Sequence, residues 1–117
     1  MADVTAVWRG AEYSARVGVA SASGLNDGAE LLRSLSVPRA PVDTSMLRQT
    51  AQVALASPMD LESAVTYDTP YAVKQHNDLD LNHPNGGEAQ YLLRPLMEDG
   101  QKILEVIAKP IRAVAGA

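Results

Sequence analysis

The sequence predicts a single α+β domain over residues 1–117. Three observations support this prediction: an apolar period of three to four residues near the N-terminus, two short alternating runs around a turn, and a second helical period near the C-terminus. A chain of 117 residues suits one domain, and neither a linker nor an internal repeat divides it. Helix, hairpin, polar loop and helix, in that order, are typical of an α+β fold.

A long first helix is predicted from Trp8 to Ser36. Its apolar residues recur at steps of three and four, which places them on one stripe of the helix. Gly18, Gly24 and Gly28 each disfavour a helix by about 1 kcal/mol relative to Ala, so this helix depends on packing against a neighbour. The predicted stripe, small in its first half and bulky in its second, consists of Trp8, Ala11, Ala15, Gly18, Ala22, Leu25, Ala29 and Leu32.

An antiparallel β-hairpin is predicted after Pro38 and Pro41, which end the first helix. Residues 47–55 alternate between apolar and polar, and residues 61–67 do so again. The sequence SPMD at residues 57–60 indicates a turn between the two runs. The side of the hairpin predicted to face the core holds Leu47, Ala51, Val53, Leu55, Leu61, Val65 and Tyr67.

The C-terminal half is predicted to contain a polar loop and a second long helix. Residues 71–76 fit either a short strand or a single helical turn, and residues 77–87 are dense in turn-forming residues. A helix is predicted over residues 91–114, with Pro95 in its first turn and Pro110 at a kink or end. Its buried stripe is predicted to be Leu96, Ile103, Ile107, Ile111 and Val114, and its solvent-facing residues Glu98, Asp99, Lys102, Glu105 and Lys109.

The composition predicts a small core. The chain has no phenylalanine, one tryptophan and four tyrosines, and much of its apolar content is Ala and Val. Small side chains bury little area, at about 25 cal/mol per Å², so we expect a marginal monomer that gains burial by association. Trp8, beside Arg9, fits either an interface anchor or a cap on the helix stripe.

Charge and residue usage exclude several classes of function. A net charge of −4 without a basic run argues against binding to nucleic acid. The absence of cysteine excludes disulfides, thiolate metal sites and thiol nucleophiles. Residues 1–10 are too polar for a signal peptide and no apolar run approaches 18 residues, which predicts a cytosol-like compartment and no membrane.

Ligand-type residues gather only in and around the polar loop, at His76, Asp78, Asp80, Asn82, His83 and Glu88. A calcium loop starting at Asp78 needs Gly at its sixth position and an acidic residue at its twelfth, where this chain has His83 and Ala89. Two histidines do not complete a zinc site. Neither a nucleophile elbow nor a phosphate-binding motif is present. We therefore predict no catalytic residue, no cofactor and no metal.

Several segments follow one another in an order found in a known family. Residues 40–48 read APVDTSMLR and residues 67–76 read YDTPYAVKQH. Residues 81–84 then read LNHP, and residues 87–92 read GEAQYL ahead of Pro95. Together these segments resemble the neck and tail-completion proteins of tailed bacteriophages, in the form found in actinobacteriophages and often named minor capsid or head-to-tail connector proteins.

The resemblance implies a structural protein of the virion without enzymatic activity. Such proteins form homo-oligomeric rings in the neck, between the portal side of the capsid and the tail, after assembly in the host cytoplasm. The implied partners are further copies of this chain and neighbouring connector, portal, capsid or tail proteins. The edge of the predicted hairpin and the small-residue stripe are the surfaces for ring contacts, and residues 77–87 suit contact with an adjacent ring. Acidic character would keep DNA from adhering to a channel wall.

Two alternatives belong to other classes of function. The first is a small metal-binding module or metal-dependent enzyme that uses His76, Asp78, Asp80 and His83. The second is a stand-alone adaptor that binds a peptide at the edge of the hairpin.

Overall fold

The structure, a computed structural model, describes residues 4–41, 45–68, 72–79 and 87–116. These residues form five helices and one antiparallel pair of strands, which confirms the predicted α+β class. A single 3-10 turn, Val37–Arg39, follows the first helix. The elements in chain order are α1 (Gly10–Ser36), α2 (Ser45–Gln49), β1 (Gln52–Ala54), β2 (Ala64–Thr66), α3 (Ala72–Asn77), α4 (Leu93–Glu98) and α5 (Gly100–Ala115).

The packing of α1 against α5 is the most extensive contact between elements in the described part of the chain. A Cβ atom on Gly24 would overlap the backbone carbonyl oxygen of Ile107, and one on Gly28 would lie 2.5 Å from the Ile107 side chain. The two helices therefore approach to backbone contact, which glycine permits because it has no side chain. This packing explains why α1 runs unbroken for 27 residues although it contains four glycines.

The apolar stripe predicted for α1 is covered only in part. Ala22 and Ala29 are buried, whereas Ala11 is exposed. The prediction that Trp8 belongs to the helix is wrong, because α1 begins after it and the Trp8 residue is 83% exposed. The physical reason is the length of the packing partner. Helix α5 runs antiparallel to α1 and ends beside Ala15, so it does not reach the first turns of α1.

Polar contacts attach α1 to the hairpin. The Asn26 side chain donates to the Ala56 carbonyl at 3.1 Å and accepts from the Ala56 N–H at 2.7 Å. The Ser63 hydroxyl donates to the Leu25 carbonyl at 3.0 Å. These bonds hold Ala56 and Ser63, near the two ends of the connection between β1 and β2, against the middle of α1.

The β-hairpin is present but shorter than predicted. Strand β1 pairs with β2 in an antiparallel register that places Val53 opposite Val65. The predicted turn at residues 57–60 is confirmed, since Ser57 and Asp60 exchange two backbone hydrogen bonds of 3.0 Å. The strands themselves are three residues each, so residues 55–63 form a long connection between them.

Two details of the hairpin prediction are wrong. Residues 45–49 form α2, so Leu47 is fully buried on a helix rather than on a strand. Leu55 and Leu61 are 70% and 49% exposed, although the alternation predicts them in the core. A short alternating run also fits a helical turn when its apolar residues lie four apart, as Leu47 and Ala51 do.

The segment before the polar loop is helical, which decides between the two alternatives predicted for residues 71–76. Helix α3 extends to Asn77, one residue into the predicted loop. Asp78 and Leu79 follow it, and Gly87 and Glu88 are the next residues described. The predicted loop residues 80–86 lie outside the described part of the chain.

The predicted C-terminal helix is interrupted once. Helices α4 and α5 meet at Asp99, whose φ of −112° and ψ of 16° leave the helical region. Asp forms local hydrogen bonds outside helices and Gly100 has low helix propensity, so this pair breaks the predicted helix over residues 91–114. Ile103 is buried as predicted, whereas Leu96 is 46% exposed, contrary to the prediction.

The two prolines of this region behave differently from each other. Pro95 lies in the first turn of α4, as predicted, and is buried there. Pro110 lies inside α5, and the helix continues beyond it to Ala115, so Pro110 does not end the helix. A proline removes one intrahelical hydrogen bond, and α1 lies beside α5 both before and after this position.

The core is small and the molecule is elongated. Eight of the eleven buried apolar residues in the described part of the chain are alanines, so each buries little area. The radius of gyration is 19.6 Å, against about 13 Å for a compact domain of this length. The accessible surface is 7877 Å², against about 6,100 Å² for a typical monomer of this mass. The molecule therefore exposes much more surface than its size requires.

We predict opposite effects of two Gly-to-Ala substitutions in α1. Gly24→Ala places a methyl group against the Ile107 backbone and should lower the free energy of unfolding by about 2 kcal/mol. Gly18→Ala is the matched control, because its Cβ would lie 3.7 Å from Pro58, and it should stabilise by up to about 1 kcal/mol. Urea unfolding followed by circular dichroism measures both, and equal effects would contradict the backbone contact.

Candidate functional site

Three aromatic rings pack edge to face near the C-terminal end of α1. The Tyr67 and Tyr91 ring centroids are 4.9 Å apart, and the His76 ring lies 5.1 Å from that of Tyr91. Both pairs have interplanar angles of 80°, the edge-on geometry that aromatic quadrupoles favour. We call these three residues the aromatic cluster, and it joins the chain after β2, the end of α3 and the segment before α4.

The two tyrosine hydroxyls of the aromatic cluster have buried partners. The Tyr67 hydroxyl is hydrogen-bonded to the Ser36 hydroxyl at 2.7 Å, and the Tyr91 hydroxyl donates to the Ala72 carbonyl at 2.8 Å. Burial raises the pKa of Tyr91 to about 12, and the nearby Tyr67 ring adds to this shift. Burial also raises the pKa of Tyr67, against an opposing effect of the Ser36 hydrogen bond.

His76 is engaged through both ring nitrogens. Its Nδ1 lies 2.9 Å from Asn77 Oδ1, and its Nε2 accepts from the Leu93 N–H at 3.2 Å. These contacts fit a neutral ring with the proton on Nδ1. The His76 carbonyl also accepts from the N–H of Gln90 at 2.6 Å, so the two ends of the predicted loop are tied together.

Of the four residues considered for a metal site, His76 and Asp78 lie in the described part of the chain. His76 lies in α3, and Asp78 lies just after it with its backbone N–H bonded to the Lys74 carbonyl at 2.9 Å. Asp80 and His83 lie outside the described residues. Within residues 4–41, 45–68, 72–79 and 87–116, no group of three His, Cys, Asp or Glu side chains could hold a metal ion.

An apolar groove of about 510 Å³ opens over the aromatic cluster. Val65 and Thr66 both contribute to its wall. Since consecutive residues of a strand point to opposite faces, the groove runs along the edge of β2 rather than across one face. We call it the aromatic groove; its other main lining residues are Leu32, Tyr67, Tyr91, Leu92 and Leu96.

An ion-pair cluster joins the 3-10 turn after α1, the chain after the polar loop, and α4. Arg39 donates from Nε to Glu88 and from Nη1 to Glu98 Oε2 at 2.7 Å. Glu88 also accepts from Arg94 Nη1 at 3.0 Å. The hydrogen bond from Arg39 is the main reason that the pKa of Glu98 is lowered. The sequence alone predicts Glu88 only as a loop ligand, because nothing local in it links residues 39, 88 and 98.

The backbone reinforces the ion pairs. The Glu88 N–H donates to the Arg39 carbonyl at 2.8 Å. Gly87 has a φ of +91°, and a Cβ there would overlap the backbone of Ala40 and Pro41. The chain that follows the polar loop is therefore held directly against the chain that follows α1.

The opposite end of the molecule presents exposed apolar residues. Residues 4–9 precede α1 and are neither helix nor strand; we call them the N-terminal arm. Val4, Val7 and Trp8 of the arm are all largely exposed, and the Trp8 ring contacts Tyr13 with centroids 6.1 Å apart. An exposed tryptophan among exposed valines is typical of an interface residue.

Other exposed apolar side chains lie on the hairpin connection and on α4 and α5. Asp60 and Glu62, beside the connection, are exposed surface charges. No helix in the described part of the chain is long and apolar enough to cross a membrane. The large apolar side chains on these surfaces are Leu55, Met59, Leu61, Leu93, Leu96, Met97 and Leu104.

Comparison of the chain with protein-family models, with curated proteins and with solved structures gives no match. What the protein does must therefore be inferred from its own residues and surfaces.

We predict that Arg39→Ala lowers the free energy of unfolding by about 1 kcal/mol. The effect is small because solvent screens the charges of these partly exposed groups. Two carboxylates lose their shared partner in this variant. Arg9→Ala is the matched control, because the Arg9–Glu12 pair is 3.8 Å long and exposed, and its effect should stay within about 0.5 kcal/mol. Chemical unfolding compares the two, and equal losses would contradict a structural role for the cluster.

The buried tyrosines predict a loss of stability at alkaline pH. The folded-state pKa of Tyr91, about 12, exceeds the ordinary tyrosine value of about 10. Its contribution is therefore complete below pH 10 and is lost as the pH rises through 12. Tyrosinate absorbance and circular dichroism should change together over this range, and Tyr91→Phe should remove the Tyr91 step. A Tyr91 that ionises near pH 10 in folded protein would contradict the burial argument.

Proposed function

We propose that this protein is a structural subunit of a tailed-bacteriophage particle, which assembles as part of the neck ring between the capsid and the tail. The observation that carries the proposal is the large excess of accessible surface over that of a compact monomer. Its motifs, its shape and its charge each add support.

The segments that resemble neck proteins meet in the described fold. The core cluster of Ala40, Leu47, Ala72 and Tyr91 draws every member from those segments. Tyr67 of the aromatic cluster and Glu88 of the ion-pair cluster come from them as well. Residues that are far apart in sequence thus serve one packing purpose. These motifs therefore hold the fold together, as expected of motifs in a structural protein.

The shape also supports assembly. A thin core of alanines leaves exposed apolar side chains at both ends of the molecule. A different surface at each end suits heterologous, head-to-tail contact, which closes into a ring when the rotation between subunits permits. Copies of the chain would form the ring, with portal, capsid, connector or tail proteins above and below it. A net charge of −4 suits a channel wall to which DNA does not adhere.

The test is the mass and location of the protein. Light scattering of the purified protein should give a closed multimer that negative-stain images show as a ring, and immunogold labelling should place it at the necks of virions. A protein that is monomeric at high concentration and absent from particles would overturn the proposal.

A peptide-binding adaptor is the second candidate, favoured by the apolar groove beside the edge of β2. A stable monomer that binds an extended apolar peptide would support the adaptor, whereas ring formation without peptide binding would contradict it.

A further inference from the structure

We propose that the N-terminal arm of one copy docks in the aromatic groove of the next copy, where it adds a strand along the edge of β2. This inference rests on the proposed function as a ring subunit and identifies the contact between neighbouring copies. Its evidence is the chemistry of the arm, the form of the groove and the distance between them.

The arm has the residue types of a β-strand, although it is not part of a sheet in the described chain. Residues 4–8 read VTAVW, and four of these five residues are β-branched or aromatic, the types that favour strands. The Trp8 residue is 83% exposed, and covering it would remove on the order of 200 Å² of aromatic surface from water. The arm therefore needs an apolar site beside a strand edge.

The aromatic groove provides such a site. The sheet has two strands, so the outer edge of β2 is not paired with another strand in the described part of the chain. An added strand gains backbone hydrogen bonds along such an edge, and adjacent pockets accept alternate side chains. The groove volume of about 510 Å³ falls in the usual range for binding sites of about 300–1,000 Å³, and its lining is mostly apolar.

The arm cannot reach the groove of its own chain. From Gly10 to Leu32, which lines the groove, α1 is about 33 Å long at 1.5 Å per residue. Trp8 lies two residues before α1, a span of about 7 Å when fully extended. Only a second copy can place Trp8 in the groove. Because arm and groove lie near opposite ends of α1, the resulting contact is head-to-tail.

The absence of cysteine from the chain allows an unambiguous cross-linking test. Thr5→Cys labels the arm, Thr66→Cys labels the groove, and Leu104→Cys on α5 is an exposed control outside the groove. Mixing the arm variant with the groove variant under mild oxidation should give disulfide-linked heterodimers. The arm variant mixed with the control should give at least about tenfold less. The double variant Thr5→Cys/Thr66→Cys should give linked multimers rather than a ring closed within one chain.

A second measurement tests the anchor residue in an intact groove. Trp8→Ala should weaken self-association by about 30-fold in dissociation constant, the size expected for loss of an interface anchor. Val19→Ala, at another exposed apolar position, should change it by less than about threefold. Circular dichroism checks that both variants remain folded.

The outcomes separate this inference from the proposed function. Arm docking would be overturned if Trp8→Ala still formed multimers and the arm cysteine linked equally to the groove cysteine and the control cysteine. The ring proposal would still stand after that result. A wild-type chain that stays monomeric, together with arm and groove cysteine variants that form no cross-links, would overturn both.

Discussion

The backbone contact between α1 and α5 is the constraint on which the rest of the structure depends. Gly24 meets the backbone of Ile107 and Gly28 meets the Ile107 side chain, so α1 contributes little side-chain area at these two positions. The hairpin and the aromatic cluster attach to the C-terminal half of α1, and the ion pairs attach to the 3-10 turn that follows it. Only the first turns of α1 extend beyond α5. An elongated molecule with a thin core follows directly from this choice of small residues.

The two ends of the molecule have different roles. One end holds the fold together, and the other end exposes apolar side chains. Near the C-terminal end of α1, Tyr67, Tyr91 and Arg39 connect segments distant in sequence, and their polar atoms have partners. At the other end, Trp8 and its neighbours remain exposed. A neck subunit of the kind we propose needs both properties, since one end must keep its shape while the other contacts a neighbour.

The sequence correctly predicted the long first helix, a turn and a proline position. It failed where the apolar pattern was only a few residues long. The long helix ending at Ser36, the turn at residues 57–60 and the first-turn position of Pro95 are confirmed. The strand assigned over residues 47–55 is mostly wrong, since a few alternating residues do not separate a strand from a helical turn. The ion pairs of Glu88 and the aromatic groove depend on tertiary contacts that no local pattern records.

Hydrogen bonds and backbone contacts hold the chain on both sides of the predicted polar loop. On one side the His76 carbonyl accepts from Gln90, and on the other Glu88 and Gly87 lie against the chain after α1. The geometry on which the groove depends is thus fixed at the boundaries of residues 80–86. These contacts hold both flanks of the groove, so a neck subunit of the kind we propose would keep the contact between identical copies when its sequence changes elsewhere.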